Sequence, residues 1–194
     1  MPSRLVPAVP PVALTPPAPA RVAAWDRSLA FATFVESADE NGDLWRSGAR
    51  RAVAPEGAVE RLRAIGRRWR LLVLLEDWCG DAVNTIPVLA ALAAAAPELL
   101  ELRVLSRDAE PDLMDAHLSP TGGRAIPVVM VLDEHLVERA WWGSRPAPLQ
   151  ALVQGVWAPL DKPARYAEAR RWYVRDRGVT AVDELLALMA RAAA

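Results

Sequence analysis

The run LLVLL, Leu71 to Leu75, passes directly into EDWCGDAVNTIP, Glu76 to Pro87. An apolar run this short, bounded by charge, suits a strand buried on both faces. The alanine- and leucine-rich segment that follows, Asp81 to Ala96, has helical composition, and Pro97 ends it. At the junction stands Cys79, the only cysteine in 194 residues. A thiol at the head of a helix faces unpaired backbone N–H groups and the positive end of the helix dipole, and both favour its thiolate. The carboxylates of Glu76, Asp77 and Asp81 crowd the same point and act in the opposite direction.

The rest of the pattern extends this strand and helix into an α/β domain. LLELRVLS, Leu99 to Ser106, alternates Leu100, Leu102 and Val104 with charge, as a strand does. DAEPDLMDAHL is expected to be a short helix capped by Asp108 or a neighbour. AIPVVMVLD is a third strand, and the turn at Asp133 to His135 returns LVERAWW as a fourth, antiparallel one. Prolines open a helix in RPAPLQALVQGVWAPL. Two more helices follow, divided at Gly178, with Thr180 as the expected cap of the second and Asp183 three residues on. Upstream, Trp25 to Ala38 reads as one helix, ADENGDLW as a break, and Pro55 as the start of another helix. The expected fold is a mixed four-stranded sheet flanked by helices, with extra N- and C-terminal helices. The expected divisions are a disordered proline-rich tail over 1–20, a helical extension over 21–69, the core over 70–153 and a C-terminal helical extension over 154–194 packed on that core.

Composition narrows the function. Net charge is −1, so the chain lacks the basic footprint of a nucleic-acid binder, and no apolar run reaches the ~20 residues of a bilayer span. The basic cluster Arg61 to Arg70 reads as the wet face of a helix. One cysteine excludes an intramolecular disulfide, which makes a reducing cytoplasm the expected setting. His117 and His135 lack ligand spacing with any cysteine, so no metal is expected. Neither nucleic acid nor membrane is an expected partner.

The element order, with WCGD at the first strand-to-helix junction, resembles thioredoxin-like proteins over about 70–153. Pro87, eight residues after Cys79, stands where thioredoxins kink their active-site helix. RAIPVVMVLDEHLVERAWWG follows the family's Ile-Pro, strand, turn, strand, Gly pattern. EDWCGDA and WGSRPAPLQ resemble a bacterial branch whose motif is Trp-Cys-Gly-Asp-Ala, with a single active-site cysteine. The resemblance implies that Cys79 is the nucleophile and Pro127 a cis-proline facing it. It further implies that Trp78, Gly80, Ile126 and Pro127 form the substrate-binding surface, with the Ile126 backbone open to an extended partner.

Two departures from that family bear on chemistry. The position of the resolving cysteine is Ala82, and the position of the buried acid is Val73. Glu76 is the candidate proton acceptor in its place; a solvated surface role fits it equally. Three functions remain open: a monothiol thiol–disulfide oxidoreductase resolved by an external thiol, a peptide- or partner-binding module without turnover, and a peroxide-reactive sensor thiol. No cofactor is expected beyond glutathione as a candidate co-substrate. The expected partner is a protein or a low-molecular-weight thiol or disulfide.

Overall fold

The computed structural model of the protein describes residues 18–194. Helix α1 (Ala18–Arg27), strand β1 (Leu29–Ala30) and helices α2 (Phe31–Ser37), α3 (Gly42–Arg51) and α4 (Ala58–Ile65) lead into strand β2 (Trp69–Leu75). Then come α5 (Gly80–Ala95), β3 (Leu100–Ser106), α6 (Pro111–Asp115), β4 (Val128–Leu132) and β5 (Glu138–Gly143). The chain closes with α7 (Ala147–Gln154), α8 (Lys162–Asp176) and α9 (Val179–Ala193). All of the 1–20 tail except its last three residues lies outside the described residues, and those three already begin α1.

Among the described residues the strands form one sheet in the order β1-β3-β2-β4-β5. β2 runs parallel to β3 and antiparallel to β4, and β4 and β5 form the antiparallel hairpin. Leu71 to Leu75 are fully buried, as an unbroken apolar run at the centre of a sheet must be. Helix α5 packs on β3 and also meets α3, α4, α8 and α9. This is the thioredoxin-like α/β arrangement, with helices added at both ends.

The sheet has a fifth strand where four were expected. The stretch read as one helix from Trp25 to Ala38 is divided by β1, which pairs Leu29 with Val104 and Ala30 with Arg103. The reason is local and tertiary at once. The Ser28 hydroxyl and backbone N–H both donate to the Trp25 carbonyl, closing α1 with a three-residue turn. The freed chain then covers the outer edge of β3, whose backbone groups would otherwise stand bare.

Helix α3 replaces the expected break. Its Trp45 is fully buried and meets Phe34 edge-on at 4.9 Å, while Arg46, Arg50 and Arg51 face water. Gly48 of α3 lies against Pro87 of α5, where a Cβ would approach the proline ring to 3.2 Å. Helix α4 starts at Ala58 rather than Pro55, since Gly57 takes the left-handed N-cap conformation. Glu110, not Asp108, precedes α6, with Pro111 in the first turn.

The cap of α9 differs as well. Gly178 holds the N-cap at φ 78°, and Thr180 lies inside the helix with its hydroxyl donating to Asp176. Asp183 instead pairs with Arg61 of α4. A side chain at 178 would meet Val88 of α5 at 2.7 Å, so close helix packing selects glycine there.

The C-terminal helices dock. Val182, Leu185, Leu186 and Met189 of α9 join the same core as Leu62 of α4 and Trp142 of β5. Replacing Leu185 by Ala should therefore cost about 2–5 kcal/mol and lower the melting temperature by roughly 5–15 °C. Replacing Arg61 by Ala, which removes a half-exposed ion pair to the same helix, should cost under ~1 kcal/mol. Thermal denaturation checks both, and equal effects would contradict docking through the apolar face.

Candidate functional site

Cys79 is the N-cap residue of α5 and only 6% exposed. Its backbone N–H donates to the Glu76 carbonyl at 3.1 Å, and its own carbonyl accepts from Val83 at 3.1 Å. The sulfur lies 3.5 Å from the carbonyl oxygen of Ile126, to which the S–H donates. The Ile126–Pro127 peptide bond is cis. Burial is the largest influence on the thiol and pushes its pKa up. The Ala82 and Asp81 backbone N–H groups and the Arg145 charge pull it down, while the Asp81 carboxylate adds to the rise. The net shift is upward, so burial outweighs the helix end and the thiol is protonated at neutral pH.

The acids around it are not equivalent. Asp81 binds Arg145 through Nη2 at 2.6 Å and accepts from the Tyr173 hydroxyl at 2.9 Å. Arg145, just beyond β5, also donates to Gln150 at 3.2 Å. Burial is the largest influence on Arg145 and lowers its pKa, but the Asp81 charge and hydrogen bond, with Tyr173 and Cys79, together outweigh it, and the net shift is upward. Burial first, then the Asp81 charge and hydrogen bond, push the Tyr173 hydroxyl far above its ordinary range, so it stays a proton-bearing donor. One carboxylate thus ties α5, the loop after β5 and α8 together beside the sulfur.

Glu76 and Asp77 do structural work on either side. Glu76 accepts from the Ser106 hydroxyl at 2.8 Å and the Asp108 N–H at 2.9 Å. Asp77 accepts from the Asp39 and Glu40 N–H groups, both at 2.9 Å, and its carbonyl accepts from the Trp45 indole at 2.8 Å. These bonds fix the turn that presents Trp78, which is 44% exposed with the Arg107 guanidinium 5.2 Å from its ring centre.

A cleft of about 420 Å³ opens at the sulfur. Of the residues expected at the site, Trp78, Cys79, Gly80 and Ile126 line it; Pro127 is buried behind Ile126, and Glu76 is not part of its wall. Ala82 and Val73 are fully buried, the first in the opening turn of α5 and the second in mid-β2. His117 is buried elsewhere, with its ring nitrogens against the Leu113 carbonyl and Glu138. Among the described residues no group of His, Cys, Asp and Glu could hold a metal ion. Sequence reasoning missed Arg145, Tyr173 and the arginines of the cleft wall. Only Arg145 carried a signal, since it falls inside the WGSRPAPLQ motif.

A family model described as Thioredoxin matches residues 28–164. Among solved structures, a protein of unknown function from Pseudomonas aeruginosa is 25% identical with a TM-score of 0.67. An HIV epitope-scaffold is 27% identical with a TM-score of 0.64. Each likeness covers 87% of this chain and 96% of the other. No curated protein matches.

Two substitutions probe the geometry. Asp81→Asn removes the carboxylate that raises the thiol and leaves the Arg145 charge that lowers it. Alkylation of Cys79 by iodoacetamide at pH 7 should then run faster than in the parent, with the rate-against-pH curve moved to lower pH. At Gly143 a Cβ would sit 2.3 Å from the Pro127 carbonyl oxygen. Gly143→Ala should therefore force β5 from β4, cost more than ~2 kcal/mol and expose the thiol to faster alkylation.

Proposed function

The chain belongs to the thioredoxin family, and from that premise we propose that it is a monothiol thiol–disulfide oxidoreductase acting through Cys79. The observation that carries this reading is the sulfur's position. Cys79 is the N-cap residue of α5, and although it is 6% exposed and packed with the core, it lines an open cleft beside Ile126. In the first step the Cys79 thiolate attacks one sulfur of a disulfide. A bond forms between Cys79 and that sulfur, the original S–S bond breaks, and the electron pair leaves on the second sulfur, which takes up a proton. With Ala82 where a second thiol would stand, resolution needs an external thiol. Its thiolate attacks the ligand sulfur of the mixed disulfide, forms a new disulfide outside the protein and returns Cys79 as thiolate. Glutathione is a suitable external thiol, and a reducing cytoplasm the setting that supplies it.

A second reading has its own support. The thiol is buried and held protonated, which fits a module that binds a partner in the cleft without turnover. Kinetics distinguish the two. Incubation with glutathione disulfide should add one glutathionyl group, seen by intact mass, and Cys79→Ser should abolish it. The thiolate fraction grows as pH rises through a pKa above the ordinary thiol value. The rate at pH 7 should therefore fall below that of free cysteine and keep climbing beyond pH 9. Dithiol-dependent insulin reduction should be absent, and Ala82→Cys should create some of it. A chain that forms no adduct even at high pH is a binding module.

A further inference from the structure

The cleft at Cys79 is rich in arginine, although the chain as a whole carries net −1. Arg107, Arg124, Arg145 and Arg170 line it, with Asp81 the one carboxylate of the wall; Arg107 and Arg124 pair with Asp108 and Asp115, which lie outside the wall and are more than half exposed. Asp81 is already committed to Arg145 and Tyr173. Arg170 on α8 has no ion-pair partner among the described residues, and the acid nearest it in sequence, Glu168, is taken by Arg171. The Nε of Arg145 is buried without an acceptor.

Shape points the same way. The walls come from α8, from the turn before α5 and from the loops before β4 and after β5. At about 420 Å³ the volume falls within the ~300–1,000 Å³ of small-ligand sites. Trp78 and Tyr166 add half-exposed rings to the rim. Guanidinium groups match carboxylates through paired N–H donors, so several arginines about one cleft select ligands with several carboxylates.

We propose that the cleft binds a small polyanionic disulfide or thiol, one carrying two or more carboxylates, with its sulfur against Cys79 and its carboxylates on the arginines. Arg170, contributed by the C-terminal extension, is a specificity-determining residue of that site. This rests on the reading of Cys79 as an exchange thiol; the covalent step is the balanced exchange given above, with the ligand supplying the disulfide.

The test compares three disulfides at pH 8.5: glutathione disulfide (anionic), 2-hydroxyethyl disulfide (neutral) and cystamine (cationic). Rates of adduct formation, each divided by the rate with free cysteine, are read by intact mass. Glutathione disulfide should exceed the neutral probe by about tenfold at low salt, with cystamine slowest and the preference shrinking in 0.5 M salt. Arg170→Glu should cut the ratio of anionic to neutral rates by about threefold or more. Arg175→Glu, exposed on the same helix and outside the cleft, should leave that ratio alone. Equal normalised rates for all three probes, or a ratio insensitive to Arg170→Glu, overturn the proposal while monothiol exchange stands. If no probe reacts, exchange itself fails, and calorimetry of glutathione disulfide with Cys79→Ser decides the cleft. Salt-sensitive binding weakened by Arg170→Glu supports the anion site, and absence of binding overturns it.

Discussion

The burial of β2 on every side is the constraint from which the rest follows. Its two edges are hydrogen-bonded to β3 and β4, and Leu71 to Leu75 are shut from water. A strand of that kind needs apolar cover on both faces and leaves the sheet only at its ends. Functional groups must then gather beyond the carboxyl end, where the chain turns into α5. Cys79 is four residues past Leu75 and is the first to combine a helix terminus with an open surface. The extensions matter for the same reason. Trp45 from α3 grips the Asp77 carbonyl in the turn, and Tyr173 from α8 grips Asp81 in the first turn of α5. The sheet sets where the thiol emerges, and helices before and after it fix how the thiol is walled.

Electrostatics at the site depend on which acid faces which donor, not on how many acids lie near in sequence. Glu76, Asp77 and Asp81 all fall within three residues of Cys79. The first two spend their oxygens on backbone N–H groups of neighbouring segments. Of the three, only the Asp81 carboxylate raises the thiol pKa, and its pairing with Arg145 sets one charge against the other. With the two charges opposed, desolvation decides the direction. The hydrogen bond from the S–H to the Ile126 carbonyl acts in the same sense, because only the protonated thiol can make it.

The central fold was legible because its signals were local. The LLVLL run, the Pro97 stop and the alternating residues of β3 each declare an element within a few positions. What the sequence hid was set by partners far along the chain. β1 has two residues and exists only because β3 offers an edge far along the chain, where Leu29 meets Val104 and Ala30 meets Arg103. α3 is held by Trp45 against Phe34 of α2 and by packing on α5. Thr180 had the spacing of a cap, but Gly178 took the position because Val88 leaves no room for a side chain. Tyr173 lies in the C-terminal extension, and its hydroxyl reaches Asp81 across 92 positions. Arg107, Arg124 and Arg170 belong to three separate segments, so no window of sequence shows them as one cleft wall.

A raised thiol pKa shapes what exchange at Cys79 can accomplish. A thiol with a depressed pKa is stabilised when reduced and released, so its mixed disulfides are short-lived. Cys79 has the opposite disposition: burial penalises its thiolate both as attacking group and as leaving group. Attack is slow because little thiolate is present, although the thiolate that does form is intrinsically more nucleophilic. Release is slow because an external thiol must expel that same disfavoured thiolate. Without a neighbour at position 82, no intramolecular attack offsets the delay. The proposed anion site would change the balance on the ligand side, since carboxylates bound there would raise the local concentration of one class of disulfide against all others. In the exchange reading these properties combine toward selective capture and slow release of an anionic partner, rather than rapid turnover.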